Sequence, residues 1–404
     1  MRFDRLPQEI RTLMENFDHA GYELVVVGGA IRSFFIGEKP TDWDLSTSAT
    51  PEEMLELSER WGIRTIPTGI RHGTLTWIVD GLHLEITTYR IEGSYEGYRR
   101  PLEMTFTKDL RQDLARRDFT MNAMAYDLHK GIIDPFGGRE DFQRKILRAV
   151  GDPKIRLAED ALRSFRAIRF ATRYGLVLDQ RLEEALDSEG EKVRHLSGER
   201  IKQELDLILG LEDWKSGVSG LLKFRLLRDW IPVWSHLYEE KMIHQSLEIS
   251  DPLARFASLM LVCDAEPEES DWALVRLRAS WKERKRIRSL LVHDPRVKRP
   301  IETAYEARCL VRSLGLPLVE AWLELYSIWQ GETEEAILIR QVAGDGSVVE
   351  LKDLAIGGNE LISMGVEPGK KLGELLMNCL DFVLQSPECN TKEKLQVQIK
   401  KWIG

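Results

Sequence analysis

Leu24-Val25-Val26-Val27-Gly28-Gly29-Ala30-Ile31-Arg32, followed by Asp42-Trp43-Asp44-Leu45, is the stretch on which the reading of this 404-residue chain turns. Four apolar residues running into a glycine pair read as a short buried strand ending in a turn. The glycines let backbone approach a phosphate closely, and Arg32 adds a fork of donors. Residues two apart in a strand share a face, so Asp42 and Asp44 project together. Two hard carboxylates converging on one point are what Mg²⁺ binds beside substrate phosphates. A lone Asp-x-Asp is usually a solvated turn, and a lone Gly-Gly only a turn. The ordered combination suggests a site that moves a nucleotide with the help of a metal.

The bulk composition fits this reading. A chain of this length forms two or more domains, and 43% hydrophobic residues suit a globular protein. No apolar run is long enough to span a bilayer, and the N-terminus lacks a signal-peptide pattern. Cys263, Cys309, Cys379 and Cys389 are scattered, with neither zinc-site spacing nor a disulfide framework, so a reducing cytoplasm is expected. The net charge of −9 argues against a nucleic-acid partner only on average. Between Arg139 and Arg173 ten Arg or Lys face five Asp or Glu, enough for a local phosphate-binding face or simply a solvated helix surface.

Strand signals are confined to the first 140 residues, at 24–27, 42–46, 74–79, 84–88 and 123–127. Residues 51–61 read as a helix with Thr50 as N-cap and Pro51 at its first position. After Gly137-Gly138 the chain reads as helical, rich in Leu, Glu, Lys and Arg, and carries eight of the eleven Trp, which read as core. An α+β architecture follows: an α/β head, then a long helical body.

Several further segments carry chemistry. Glu85, alternating with Leu84 and Ile86, is either an exposed strand residue or a third carboxylate beside Asp42 and Asp44, able to hold a metal or accept a proton. Arg116-Arg117-Asp118-Phe119-Thr120-Met121-Asn122-Ala123 offers guanidinium forks for a triphosphate and the Asn122 amide for a sugar or phosphate. Residues 159–170 read as one helix whose Leu162, Phe165 and Ile168 form an apolar stripe. Asp160 and Arg163, three apart, form either a surface ion pair or an acceptor and donor for a nucleobase edge, with Arg166 and Arg169 continuing toward phosphates. Asp134-Pro135-Phe136-Gly137-Gly138 reads as a turn closing the head. His293-Asp294 stands without other ligands in a metal pattern, which disfavours a metal-dependent phosphohydrolase.

In this order, the segments resemble the class II tRNA nucleotidyltransferases, the CCA-adding enzymes. The matching pieces are Gly28 to Arg32, Asp42-Trp43-Asp44, Arg71-His72-Gly73-Thr74, Glu85 to Arg90, Arg116 to Ala123, Asp134 to Gly138, Glu159 to Arg169, and Ser197-Gly198-Glu199-Arg200 with Glu204-Leu205. The resemblance covers roughly the first 210 residues and returns weakly at 353–358 and 365–369. It departs at Ser33, where the family usually has Asp, and at Trp43, where a small or aliphatic residue is usual.

The resemblance implies a polymerase-β-like nucleotidyltransferase head (1–140), then an all-helical neck (141–210), body (211–340) and tail (341–404). It implies catalytic Asp42, Asp44 and Glu85, with Asp42 and Asp44 holding Mg²⁺ for attack of the tRNA 3′-hydroxyl on an α-phosphate. Gly29, Arg32, Arg117 and Asn122 would bind triphosphate and sugar. Asp160 and Arg163 would read the base of CTP or ATP, so that protein replaces template, and Arg166 and Arg169 would complete the pocket. Body and tail would grip the tRNA acceptor stem and outer corner; monomer and homodimer both stay open. The segment 90–101 resembles the intact flexible loop that CC-only members lack, which leaves full CCA addition, with addition of the terminal A alone as the alternative. A poly(A) polymerase, usually more basic, and a tRNA-binding protein without catalysis are lesser alternatives.

Overall fold

The computed structural model describes residues 6–40, 42–93, 95–96, 100–101, 104–238, 249–297, 300–347 and 350–403. The chain divides into two compact units, 1–230 and 231–404.

The first unit opens with α1 (Gln8–His19), β1 (Leu24–Val27), α2 (Gly29–Ile36), β2 (Asp44–Thr47), α3 (Pro51–Arg60), β3 (Arg64–Gly69), β4 (Thr74–Val79) and β5 (Leu82–Thr88). β6 (Arg90–Glu92), β7 (Tyr95–Glu96), β8 (Arg100–Pro101) and β9 (Met104–Phe106) make two small antiparallel pairs, β6 with β9 and β7 with β8. The expected loop at 90–101 lies partly outside the described residues. α4 (Leu110–Ala115), β10 (Ala125–Asp127) and β11 (Gly131–Ile133) follow. A seven-stranded sheet runs β11-β10-β1-β2-β5-β4-β3. Only the β2–β5 pairing in it is parallel.

Alternation along the strands decides what each face does. Leu24, Val26, Leu45, Leu75, Trp77, Leu84 and Ile86 are buried on one face in a core shared with Ile10, Leu13 and Phe17 of α1 and Met54 of α3. Phe17, Trp61 and Trp77 meet with ring centroids 5.4–6.0 Å apart, a geometry that adds to simple area burial. The other face is apolar along β1, where Val25 and Val27 pack with Tyr89, Leu110 and Leu114, and polar along β2 and β5, where Asp44, Ser46, Glu85 and Thr87 form a local polar floor. α3 is capped as its sequence implies: the Thr50 hydroxyl accepts from the Glu53 N–H at 3.2 Å and the Glu53 carboxylate accepts from the Thr50 N–H at 2.7 Å. That reciprocal pair is worth about 1 kcal/mol.

Two expectations need correction. β2 starts at Asp44, two residues later than expected, so Asp42 and Trp43 precede the strand. Trp43 packs on Phe34 of α2 with centroids 6.1 Å apart, which is why a large side chain fits between the two aspartates. The region 159–170 is not one helix. α5 (Gly138–Gln143) is followed by α6 (Pro153–Glu159), which ends before Asp160; Asp160 is extended (φ −141°, ψ 103°), and α7 (Leu162–Tyr174) starts afresh. The Asp160 carboxylate accepts the Leu162 N–H at 3.1 Å, a local bond that competes with helix continuation. The apolar stripe itself holds: Leu162, Phe165 and Ile168 are buried. α8 (Gln180–Glu189) packs on α6, and α9 (Gly198–Leu209) and α10 (Trp214–Lys223) pack on α7.

The second unit is helical in its described residues. Three of its helices start on side-chain caps: Asp251 caps a Pro252–Val262 helix, and Ser280 and Thr303 form capping boxes with Glu283 and Glu306. Trp234 and Trp322 are buried, but Trp272 and Trp281 are 49% and 70% exposed, so the tryptophans are core only in part. A separate cluster of Leu354, Ile356, Leu361, Leu375, Leu380, Val383, Leu395 and Ile399 gathers the C-terminal helices. His293 uses its ring nitrogens on the Ser289 carbonyl and the Ser313 hydroxyl, both at 2.8 Å, which makes it a structural histidine.

Candidate active site

The β1–α2 turn fixes the first wall of the site. Gly28 has φ +67°, a conformation that side chains resist. A Cβ there would stand 3.4 Å from Arg117 Nη1 and 3.5 Å from Asp44 Oδ2, so the glycine keeps backbone, arginine and carboxylate in one another's company. Sheet register fixes the floor. Val27 pairs with Asp44, and Asp44 pairs with Glu85, so the carboxylate pair follows from strand order alone.

Beside this floor lies an open cleft of about 510 Å³, within the roughly 300–1,000 Å³ common for small-molecule sites. Gly29, Arg32, Asp44, Arg117, Asn122, Asp160, Arg163, Arg166 and Arg169 all line it, as do Asp118, Phe170 and Arg200, whose part the sequence did not reveal. Asp42 and Glu85 are not among its lining residues. Among the described residues no group of three His, Cys, Asp or Glu is placed to hold a metal by itself. The carboxylates at hand are Asp44, its register neighbour Glu85, and Asp42, whose charge acts on Asp44.

The surroundings perturb Asp44 in a telling way. Water reaches it, but the cleft walls crowd it, and burial pushes its carboxyl pKa up. Asp42 pushes in the same direction, while Arg117 and Arg32 oppose both. A carboxylate destabilised by burial and by a like charge gains most from a cation. Arg117 donates weakly to Ser46 Oγ at 3.4 Å and Asp113 Oδ2 at 3.5 Å, and its buried Nε–H meets no acceptor among the described residues. Burial lowers the pKa of this guanidinium, with the Asp113 carboxylate opposing.

Asp118 is the hub of the opposite wall. Its Oδ2 accepts from Arg166 Nε at 2.8 Å and Nη2 at 2.6 Å; its Oδ1 accepts from the Phe119 N–H and from Asn122 Nδ2, both at 2.8 Å. Burial alone would raise its pKa, but the Arg166 charge and these hydrogen bonds hold it well below the usual carboxylate range. Asn122 Oδ1 in turn accepts from Arg32 Nη1. Arg166 and Asn122 are therefore aimed by one carboxylate.

The Arg163 N–H donates to the Asp160 carbonyl at 2.9 Å, but the two side chains are braced by different partners. Asp160 takes a two-pronged bond from Arg200, at 3.1 and 2.8 Å. Arg163 donates to Glu159 Oε2 at 2.5 Å, and to the backbone carbonyls of Arg156 at 2.8 Å and Arg116 at 3.1 Å. Both still border the cleft, each braced by a different partner. Arg169 donates to Glu204 Oε2 at 2.6 Å and lies over Phe170, 4.3 Å from the ring centroid. Asp134 closes the head by accepting the Gly138 and Arg139 N–H groups at 2.8 and 2.9 Å.

Residues 24–148 match the poly A polymerase head domain family, and residues 248–398 match a putative tRNA nucleotidyltransferase domain 2 family. The chain is 31% identical over 404 residues to a CCA-adding enzyme of Lactobacillus helveticus, covering 98% of both chains. It is 33% identical over 411 residues to that of Anoxybacillus flavithermus, covering 97% of this chain and 95% of the other. The fold superimposes on the crystal structure of the Bacillus stearothermophilus CCA-adding enzyme in complex with CTP with a TM-score of 0.81, 26% identity and 98% of both chains covered. On this likeness along nearly its whole length, the chain belongs to the CCA-adding enzyme family.

Proposed function

We propose that this protein adds the 3′-terminal CCA to tRNA, one nucleotide at a time, from CTP and ATP. The observation that supports it best is a nucleotide-sized cleft with Asp44 on its floor and Arg32, Arg117, Arg163, Arg166 and Arg169 along its walls. Few ligands other than a triphosphate need so many guanidinium groups beside a carboxylate.

The donor set fits a divalent cation, and Mg²⁺ is the natural one: Asp42 and Asp44 supply hard oxygens and substrate phosphates would supply the rest. When bound, that cation would activate the 3′-hydroxyl and offset charge developing at the α-phosphate. The chain's own residues do the remaining work. Gly29, Arg32 and Arg117 hold the triphosphate, and Asn122, fixed by Asp118, contacts the sugar or phosphate. Glu85, on the same face as Asp44, is the nearest register neighbour able to take the hydroxyl proton. Asp160 presents an acceptor and Arg163 donors to the base edge, held by Arg200 and Glu159, so selection rests on unpaired polar groups penalising the wrong base. Body (211–340) and tail (341–404) would hold tRNA by its shape and phosphates. Full CCA addition is preferred to A-only addition, because the relatives similar over their whole length are CCA-adding enzymes.

Replacing Asp42 or Asp44 with Ala should abolish nucleotide incorporation into a tRNA transcript while tRNA binding persists. Substantial incorporation by both variants would refute the proposal.

A further inference from the structure

We infer that Tyr174, at the C-terminal end of α7, is a positioning residue for nucleotide binding: it aims Arg32 at the triphosphate. The inference rests on the assignment of Arg32 to the triphosphate made above.

Arg32 and Tyr174 are 142 residues apart in sequence, yet Arg32 Nε donates to the Tyr174 hydroxyl at 2.9 Å. The guanidinium carbon lies 5.0 Å from the ring centroid of Tyr174 and 5.0 Å from that of Phe170. These two rings stack, 6.2 Å apart with 21° between their planes, and Phe142 closes on Tyr174 edge-on at 5.7 Å. Arg32 therefore rests on an aromatic slab that α7 provides. A guanidinium held over ring faces keeps its charge while losing its freedom to swing.

The donors divide cleanly. Of the five N–H groups of an arginine, Nε–H goes to Tyr174 and one Nη1–H to Asn122. Nη2 lies on the Gly29 side, where a Cβ added to Gly29 would meet it at 3.7 Å. Gly29 is the backbone lining the cleft at the start of α2. The groups directed to Tyr174 and Asn122 hold the fork, and the Nη2 side is left for an anion. Because α7 also bears Arg163, Tyr174 makes one helix responsible both for the residue that meets the base and for the aim of the arginine that meets the phosphates.

A fixed aim changes binding of triphosphate, not the identity of the base or the attack itself. Tyr174→Phe keeps the slab and removes the hydroxyl acceptor; Tyr174→Leu removes both. KM for ATP on tRNA ending in CC, and KM for CTP on tRNA ending at the discriminator base, should each rise about fivefold in Tyr174→Phe, as expected for one lost hydrogen bond to a charged group after partial compensation by water. The rise should be larger in Tyr174→Leu, with kcat changing less than KM and selection against UTP and GTP kept. In an Arg32→Ala background, Tyr174→Phe should add nothing to KM. Unchanged KM in Tyr174→Phe while Arg32→Ala raises it overturns this inference alone. An equal KM effect with and without Arg32, or a change confined to one nucleotide, also overturns it. Unchanged KM in Arg32→Ala would overturn the triphosphate assignment and this inference together.

Discussion

Asp118→Asn isolates the hub of the cleft wall. The wild-type carboxylate is 7% exposed and accepts four hydrogen bonds, two of them from the Arg166 fork. Asn keeps one acceptor oxygen, which can still serve the Phe119 N–H and Asn122. Its NH₂ group must then face Arg166, donor against donor. Breaking a buried pair on one side costs about 3–5 kcal/mol. Arg166 is 34% exposed and can turn part of its charge to water, so about 2–3 kcal/mol is the expected loss. The assay is urea unfolding of the full chain, read at the transition that releases hydrogen-exchange protection in α7. A pH series adds a second reading. A carboxylate whose folded pKa is depressed contributes stability above its unfolded pKa of about 3.9, and that stability is lost as pH falls toward the folded value. The wild type's advantage over Asp118→Asn should therefore stay flat from pH 8 to about 5 and shrink by about 0.7 kcal/mol at pH 3.5. A loss under about 1 kcal/mol at pH 7, or an advantage that does not change on acidification, would refute the reasoning.

Three further outcomes are expected. Arg200→Ala frees Asp160 from its two-pronged partner, so discrimination of CTP and ATP against UTP and GTP should fall about tenfold or more while kcat with the correct nucleotide falls less; misincorporation assays on tRNA ending in C and CC check this. Gly138→Ala would place a Cβ 2.1 Å from the Thr120 carbonyl oxygen, forcing aside the turn that carries Asn122, and should cost about 3 kcal/mol, seen as a lowered thermal midpoint together with weaker CTP binding. Chelation by EDTA should stop incorporation, and added Mg²⁺ should restore it, without a comparable change in tRNA binding measured by filter retention.

The legible parts of this molecule are those whose physics is local. A continuous apolar run gave β1, partial alternation gave β4 and β5, Thr50-Pro51 gave the start of α3, and the glycine pair with Asp44 pointed at the cleft that the structure contains. What could not be read is what depends on distant partners. Asp118 sits in a quoted motif, but its meaning comes from Arg166, 48 residues on. Arg200 meets Asp160 across 40 residues, and Tyr174 meets Arg32 across 142. The break between α6 and α7 left no glycine or proline as a sign; it is made by Asp160 bonding its own neighbour's backbone. That break is why two residues three apart, which would be neighbours on a continuous helix, have different partners here.

The most direct test of the central claim uses three tRNA transcripts, ending at the discriminator base, at C and at CC. Each is incubated with Mg²⁺ and CTP, ATP or both, and the products are resolved at single-nucleotide length. The account predicts that all three are completed to CCA when both nucleotides are present, with CTP alone carrying the first transcript to CC and ATP alone extending only the third. Extension of the CC-ended transcript alone, whatever nucleotides are supplied, would contradict it and make the protein an A-adding enzyme that depends on a separate source of CC ends.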